Sequence, residues 1–238
     1  MINVRILTGY PEMFPGGLGH SLMGKALKEN IFTIETINLH DFGFDNRKSV
    51  DDEPFGGGPG MILRPDIVEK ALLSITNNQN LKSTKIYLTP SGTLLNQEKL
   101  GIFAKLDEII ILCGRFEGVD QRAIDVLGFE EVSIGDYVLA GGEIAAQVLL
   151  EGCIRLIPGV LGHPKSLLEE SFSNDLLEYP QYTRPKVWED SLGKKHDVPE
   201  VLTSGHHSNI KKWRLNKSIE KTKNIRPDMY INKEQKQD

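Results

Sequence analysis

The chain has 238 residues, 39% of them hydrophobic and 26% charged, ordinary proportions for a globular protein of one large domain or two modest ones. No apolar run approaches the roughly 20 residues needed to span a bilayer, and the opening MINVRILT is strand-like, without a basic region ahead of a signal-peptide core; these features point to a cytoplasmic protein with no membrane partner. The net charge of −5 hides a division, because residues 1–180 carry 15 basic and 25 acidic side chains while residues 181–238 carry 13 and 8.

In chain order, strand-like runs are predicted at Ile2–Thr8, Phe32–Leu39, Lys85–Leu88, Glu108–Cys113 and Glu130–Ile134. Helical patterns lie between them at Ser21–Glu29, Asp66–Ile75, Asn96–Lys105 and Asp120–Leu127. Pro65-Asp66 is a credible helix start and Asn96 a credible cap. Such alternation predicts an α/β domain with a mostly parallel sheet. Glu143–Ile157 is apolar on most sides and predicts a buried or interface helix. Beyond Pro158, glycine, proline and serine punctuation replaces periodicity, which places a boundary between about 160 and 175. A helical reading returns from Pro199 through Ile210, Trp213 and Ile219, and the chain ends in the polar tail Asn232–Asp238. Within 204–226 seven basic residues face a single acid, Glu220. A cluster of that kind suits a polyanion, or simply a solvated helix face.

Three strand-end loops stand out: LTPSG at 88–92, GRFEGVD at 114–120 and IGDYVLAGGE at 134–143. Glycines and carboxylates just past strand ends are where open α/β proteins bind ligands, since glycine lets backbone approach a ligand closely. The run PFGGGPGM at 54–61 could form an anion nest or a tight turn. It lacks the lysine and hydroxyl of a P-loop, which argues against a nucleoside triphosphatase and leaves an RNA-phosphate or substrate-base contact as the functional alternative to a tight turn. Asp51 and Asp52 beside it could hold Mg²⁺ or be ordinary surface carboxylates. Cys113 and Cys153 sit in apolar settings and read as small buried hydrophobes. The six histidines, with His206-His207 as the only pair, do not suggest a metal site.

Read as multi-residue blocks, PEMF (11–14), VDDEPFGGGPGM (50–61), GRFEGVDQR (114–122), IGDYVLAGGE (134–143), IPGVLGH (157–163) and YPQYTRP (179–185) resemble the bacterial tRNA (guanine-N1)-methyltransferases of the SPOUT class, in the same order over nearly the whole chain. The resemblance implies a deep trefoil knot in the α/β domain, a small helical C-terminal domain, and a homodimer whose active sites are built from both subunits. It divides the chain into a knotted S-adenosylmethionine-binding domain (1–160), a linker or active-site loop (161–175) and a helical tRNA-binding domain (176–238). The cofactor pocket would be built from Tyr87, Leu88, Thr89, Pro90 and Gly92; from Gly114, Arg115, Phe116, Glu117 and Gly118; and from Ile134, Gly135, Asp136, Tyr137, Val138, Leu139, Gly141 and Gly142.

The implied reaction moves the methyl of S-adenosylmethionine to N1 of guanine 37, beside the tRNA anticodon. It needs a carboxylate to take the N1 proton and a cation near O6. The family's base is an aspartate directly before a Ser-Phe pair; here Ser171-Phe172 follows Glu170, with Glu169 the alternative if the loop shifts by one. The family's arginine maps to Arg155, and a second family aspartate to Glu178. A family glycine becomes Asp175, and the family's Asn-His becomes His206-His207. Contacts to tRNA are implied for Gly58, Gly60, Glu178, Tyr182, Arg184, Lys211, Lys212 and Arg214. A Mg²⁺ requirement is implied without an identifiable site. The rival readings are a related methyltransferase for ribosomal RNA or a ribose hydroxyl, and a non-enzymatic RNA-binding module that keeps the fold.

Overall fold

The apolar β-branched runs become the strands of one parallel sheet. The structure, a computed structural model, describes residues 1–75, 81–162, 170–172 and 174–235. The chain divides into two compact units, Met1–Gly162 and His163–Asp238.

In the first unit β1 (Ile2–Thr8) leads through two short 3₁₀ turns to α1 (Ser21–Lys28) and β2 (Phe32–Asn38). Next come the two-residue strands β3 (Asp51–Asp52) and β4 (Ile62–Leu63), then α2 (Pro65–Leu73), β5 (Ser83–Leu94), α3 (Gln97–Phe103), β6 (Glu108–Cys113), α4 (Gln121–Leu127), β7 (Glu130–Ser133) and α5 (Gly142–Ile154). The five main strands lie in the order β2-β1-β6-β5-β7, every pair parallel. Parallel pairing needs a crossover between strands, and the helices supply it. The α/β expectation with a mostly parallel sheet is met.

The central strand shows why the sheet holds. Every residue of β6 is buried, as expected for a strand covered on both faces. Alternation sends Ile109, Ile111 and Cys113 into one core with Ala146, Leu149, Leu150 and Cys153 of α5. Ile110 and Leu112 enter the other core with Ile67, Val68 and Ala71 of α2 and Ala123 and Ile124 of α4. Each large side chain buried this way contributes roughly 1.5–3 kcal/mol. Helix starts follow the sequence signals: Asn96 Oδ1 accepts from Lys99 N–H at 2.8 Å, and Asp120 Oδ1 accepts from Arg122 N–H at 3.0 Å. Pro65 opens α2.

One strand departs from expectation. β5 does not stop at Leu88; both Leu88 and Thr93 pair with Val132 of β7, and residues 89–92 bulge out between them. Pro90 has no N–H to give a ladder. Gly92 lets the chain return, since a Cβ there would sit 2.4 Å from Val132 N.

The second unit holds β8 (Val187–Glu189) and β9 (Lys195–Asp197), an antiparallel hairpin, followed by α6 (Glu200–Thr203), α7 (His207–Ile225) and α8 (Pro227–Gln235). The hairpin was not predicted, because three-residue strands leave too little alternation to read. No helix among the described residues is long and apolar enough to cross a membrane.

Candidate active site

Because the strands are parallel, their carboxyl ends share one edge of the sheet, and the bulge of β5 gathers there with the loops after β6 and β7. They enclose a cleft of about 250 Å³. Its wall runs through Tyr87, Leu88, Thr89 and Pro90, then Gly114–Gly118, then Ser133–Gly135 and Tyr137–Gly142. Every residue assigned to the cofactor pocket from the sequence lines this cleft except Gly92, which packs on the β7 backbone, and Asp136, which is exposed. Ser133, Ala140 and Ala145 line it as well. They escaped sequence reading because a small residue at a strand end or helix start carries no pattern of its own. Tyr87 is buried, which pushes its hydroxyl above the usual tyrosine range, and hydrogen bonding at Val119 and Thr89 opposes that rise.

The loop after β6 is pinned from below. Arg115 Nη2 lies 2.9 Å from Glu143 Oε2, and that carboxylate is almost wholly buried at 1% exposure. Glu143 Oε1 accepts from the buried Thr8 hydroxyl at 2.9 Å. Arg115 also stacks over the Tyr10 ring, 4.3 Å to its centroid, and donates to the Ala140 carbonyl at 3.4 Å. The ion pair is close but off-axis, so Glu143 Oε2 makes no well-directed hydrogen bond, and Arg115 Nε is buried without an acceptor among the described residues. Gly142 N–H donates to the Gly114 carbonyl at 3.0 Å, tying the start of α5 to the same loop. Beneath it the Cys113 thiol is pushed well above its usual range by burial and by the Glu143 charge.

The glycine run 54–61 is held in the turn closed by β3 and β4. Its far end docks on the cleft: Glu117 N–H donates to Met61 O at 2.9 Å, and Leu63 N–H to Gly118 O at 3.0 Å. Gly60 lies directly against Glu117, where a Cβ would meet Glu117 Cγ at 2.3 Å, and its φ of +86° suits glycine alone. Gly58, by contrast, faces open space. Asp52 pairs with Arg64 at 3.1 Å and Asp51 sits in β3. Among the described residues no group of three or more His, Cys, Asp or Glu side chains is arranged to hold a metal ion.

Arg155 is the half-buried residue that caps α5 in the first unit. Glu170 belongs to the second, where it lines a separate cleft of about 620 Å³ with Glu178, Tyr179, His207, Lys211 and Arg214. The structure therefore brings Glu170, Glu178, Lys211 and Arg214 to one surface. Tyr182, Arg184 and Lys212 do not line it; Tyr182 packs instead on Trp213, ring centroids 6.2 Å apart. Ser171 Oγ accepts from Glu178 N–H at 3.0 Å, and Phe172 N–H donates to Leu176 O at 2.9 Å, so the two carboxylates flank one tight turn. Asp175 in that turn has φ +54°, a left-handed conformation in which aspartate is among the few tolerated residues besides glycine. Arg214 lies over the Tyr179 ring at 4.7 Å, and Lys221 Nζ donates to the Glu178 carbonyl at 3.1 Å. Glu169 and most of the 161–175 loop lie outside the described residues.

A parallel α/β domain with one cleft at the carboxyl edge, walled by three loops and fixed by a buried ion pair, defines an enzyme-type ligand domain joined to a separate basic unit. Comparison with known proteins makes this specific. The chain belongs to the family described as tRNA (Guanine-1)-methyltransferase TrmD, whose model matches residues 2–232. It is 49% identical over 225 residues to a tRNA (guanine-N(1)-)-methyltransferase of Rhodospirillum rubrum, covering 94% of this chain and 91% of that one. Proteins of the same name from Wolbachia pipientis subsp. Culex pipiens and Bartonella henselae are each 50% identical; the first match covers 95% of this chain and 96% of the relative, the second 95% and 94%.

Proposed function

We propose that this chain is an S-adenosylmethionine-dependent methyltransferase acting on N1 of guanine 37 in tRNA, in the cytoplasm and as a homodimer. The observation that carries the proposal is the convergence of the β5 bulge and the β6 and β7 loops on one cleft, in a chain whose relatives bear the name tRNA (guanine-N(1)-)-methyltransferase.

The cleft fits a nucleoside-bearing ligand. Leu88, Ile134, Leu139 and Ala145 give apolar surface for a base, and backbone of Gly114, Gly135 and Gly141 can come close to its polar edges. Arg115 Nε is a buried donor with no hydrogen-bond acceptor among the described residues. When bound, S-adenosylmethionine supplies a methyl already activated by its sulfonium. The chain's own residues must then align that methyl with the guanine and manage a proton. Glu170 is proposed to take the N1 proton, and Arg155 to stabilise the negative charge that spreads to O6. Glutamate in place of the family's aspartate keeps the carboxylate on an arm one methylene longer. Glu178, Tyr182, Arg184, Lys211, Lys212 and Arg214 are proposed to hold the tRNA, with Gly58 and Gly60 from the glycine loop.

Two further features belong to the proposal. A trefoil knot through the three cleft loops is supported by the pairing of β5 with β7 on both sides of its bulge and by the Gly142–Gly114 tie. The homodimer is supported by Ile144 and Val148, apolar residues about half exposed one turn apart on α5, whose opposite face is buried in the core. The described residues offer no ready-made Mg²⁺ site, and no step is assigned to the ion. Titration calorimetry with S-adenosylmethionine tests the cleft assignment: the wild type should bind and Gly142→Val should not. A wild-type protein without affinity would favour the RNA-binding module over the enzyme.

A further inference from the structure

The β8–β9 hairpin takes no part in either cleft. All of its strand residues are exposed, and strands this short do not hold together unaided. A local network fixes them instead. Asp190 Oδ1 accepts from Leu192 N–H at 2.9 Å and from Lys194 N–H at 3.0 Å, while Oδ2 lies 2.8 Å from His196 Nε2. That last contact holds the Asp190 carboxyl below its usual range. Across the ladder Trp188 stacks on His196, centroids 5.2 Å apart and planes 28° from parallel.

Strand alternation sorts the charges. The register pairs Trp188 with His196, and backbone bonds from Asp190 N–H to Lys194 O and from Val198 N–H to Lys186 O extend the ladder at both ends. One face therefore presents Trp188 and His196 flanked by Lys186 and Lys194, with the Asp190 carboxylate already engaged by the turn. The other face presents Val187, Glu189, Lys195 and Asp197. The aromatic stack and two cations share a side, and Glu189 and Asp197 are turned away. Trp188 keeps 58% of its surface open.

We propose that this face is a stacking platform for an unpaired base of the RNA substrate, with Trp188 taking the base and Lys186 and Lys194 the adjoining phosphates. Flat aromatic surface edged by cations is what single-stranded nucleic acid requires, and it needs no groove. The inference rests on the tRNA reading above and adds a contact outside the cleft of Glu170.

The test uses the full chain with Trp188 replaced by Phe, Leu or Ala, and unmodified tRNA transcript as the probe. Trp188→Leu and Trp188→Ala should weaken tRNA binding about tenfold and raise KM for tRNA at unchanged kcat, a loss in the range of one base–aromatic stack. Trp188→Phe should keep most of the affinity, and S-adenosylmethionine binding should not move. Leucine preserves apolar bulk, so leucine binding tRNA as tightly as tryptophan would overturn the proposal. Lys186→Gln combined with Lys194→Gln should lower the slope of log affinity against log salt by about one or more; an unchanged slope would also overturn it. Failure of the wild type itself to bind tRNA would instead strike the tRNA reading.

Discussion

Arg115 and Glu143 form a buried ion pair at 2.9 Å that joins the loop after β6 to the first turn of α5. The carboxylate is 1% exposed and is held on its other oxygen by the Thr8 hydroxyl of β1. Three separate segments thus share one charged contact under the floor of the cleft.

Glu143→Ala would strand the guanidinium and the Thr8 hydroxyl together. Removing one partner of a buried pair costs about 3–5 kcal/mol, and the partial solvent access of Arg115 puts this site near the lower figure. Urea unfolding should show that loss, and calorimetry a weakened affinity for S-adenosylmethionine. An unchanged midpoint and affinity would show that the pair supports neither fold nor cleft.

Gly60 and Gly57 both have positive φ, but only Gly60 meets another residue, Glu117. Gly60→Ala should therefore cost about 1–3 kcal/mol of local strain and cut methyl transfer roughly tenfold or more by displacing Glu117. Gly57→Ala, facing open space, should carry the backbone strain alone and leave most activity. Equal effects in a steady-state assay would refute the contact argument.

Cys153 has its thiol pushed up to about 12 by burial, and Cys113 is raised as well. Unfolding returns each to an ordinary thiol that ionises near 9. Above that pH the unfolded chain holds fewer protons than the folded one, so stability falls as pH rises from about 9 to about 12. The slope is about 1.4 kcal/mol per pH unit for each thiol. Cys153→Ala should flatten the alkaline branch of a urea-midpoint profile; an unaltered slope would contradict the assignment.

Glu170→Gln should abolish turnover while leaving S-adenosylmethionine affinity nearly intact, because Glu170 is not among the residues that line the cleft at the sheet's carboxyl edge. Single-turnover kinetics read this directly. A fully active Glu170→Gln enzyme would move the base to another group without changing the family.

Much of this is legible in the sequence. The β6 run EIIILC announces a strand buried on both faces, and the glycine-bearing loops after it and after β7 mark the cleft. The length of β5 was not legible, since Pro90 and Gly92 read as the end of a strand when they mark a bulge inside it. The Arg115–Glu143–Thr8 link spans 135 residues of sequence between Thr8 and Glu143, and no local pattern reports a contact at that range. The reason for Gly60 was hidden for the same cause: its neighbour, Glu117, comes from a different loop. The β8–β9 hairpin is held by one aspartate and one aromatic stack, both invisible to periodicity.

The most direct measurement is a nucleoside digest of unmodified tRNA after incubation with the protein, Mg²⁺ and methyl-labelled S-adenosylmethionine. Label should appear in 1-methylguanosine and vanish when guanine 37 is replaced. Label in another nucleoside, or none despite measurable cofactor binding, would contradict methylation of N1 of guanine 37.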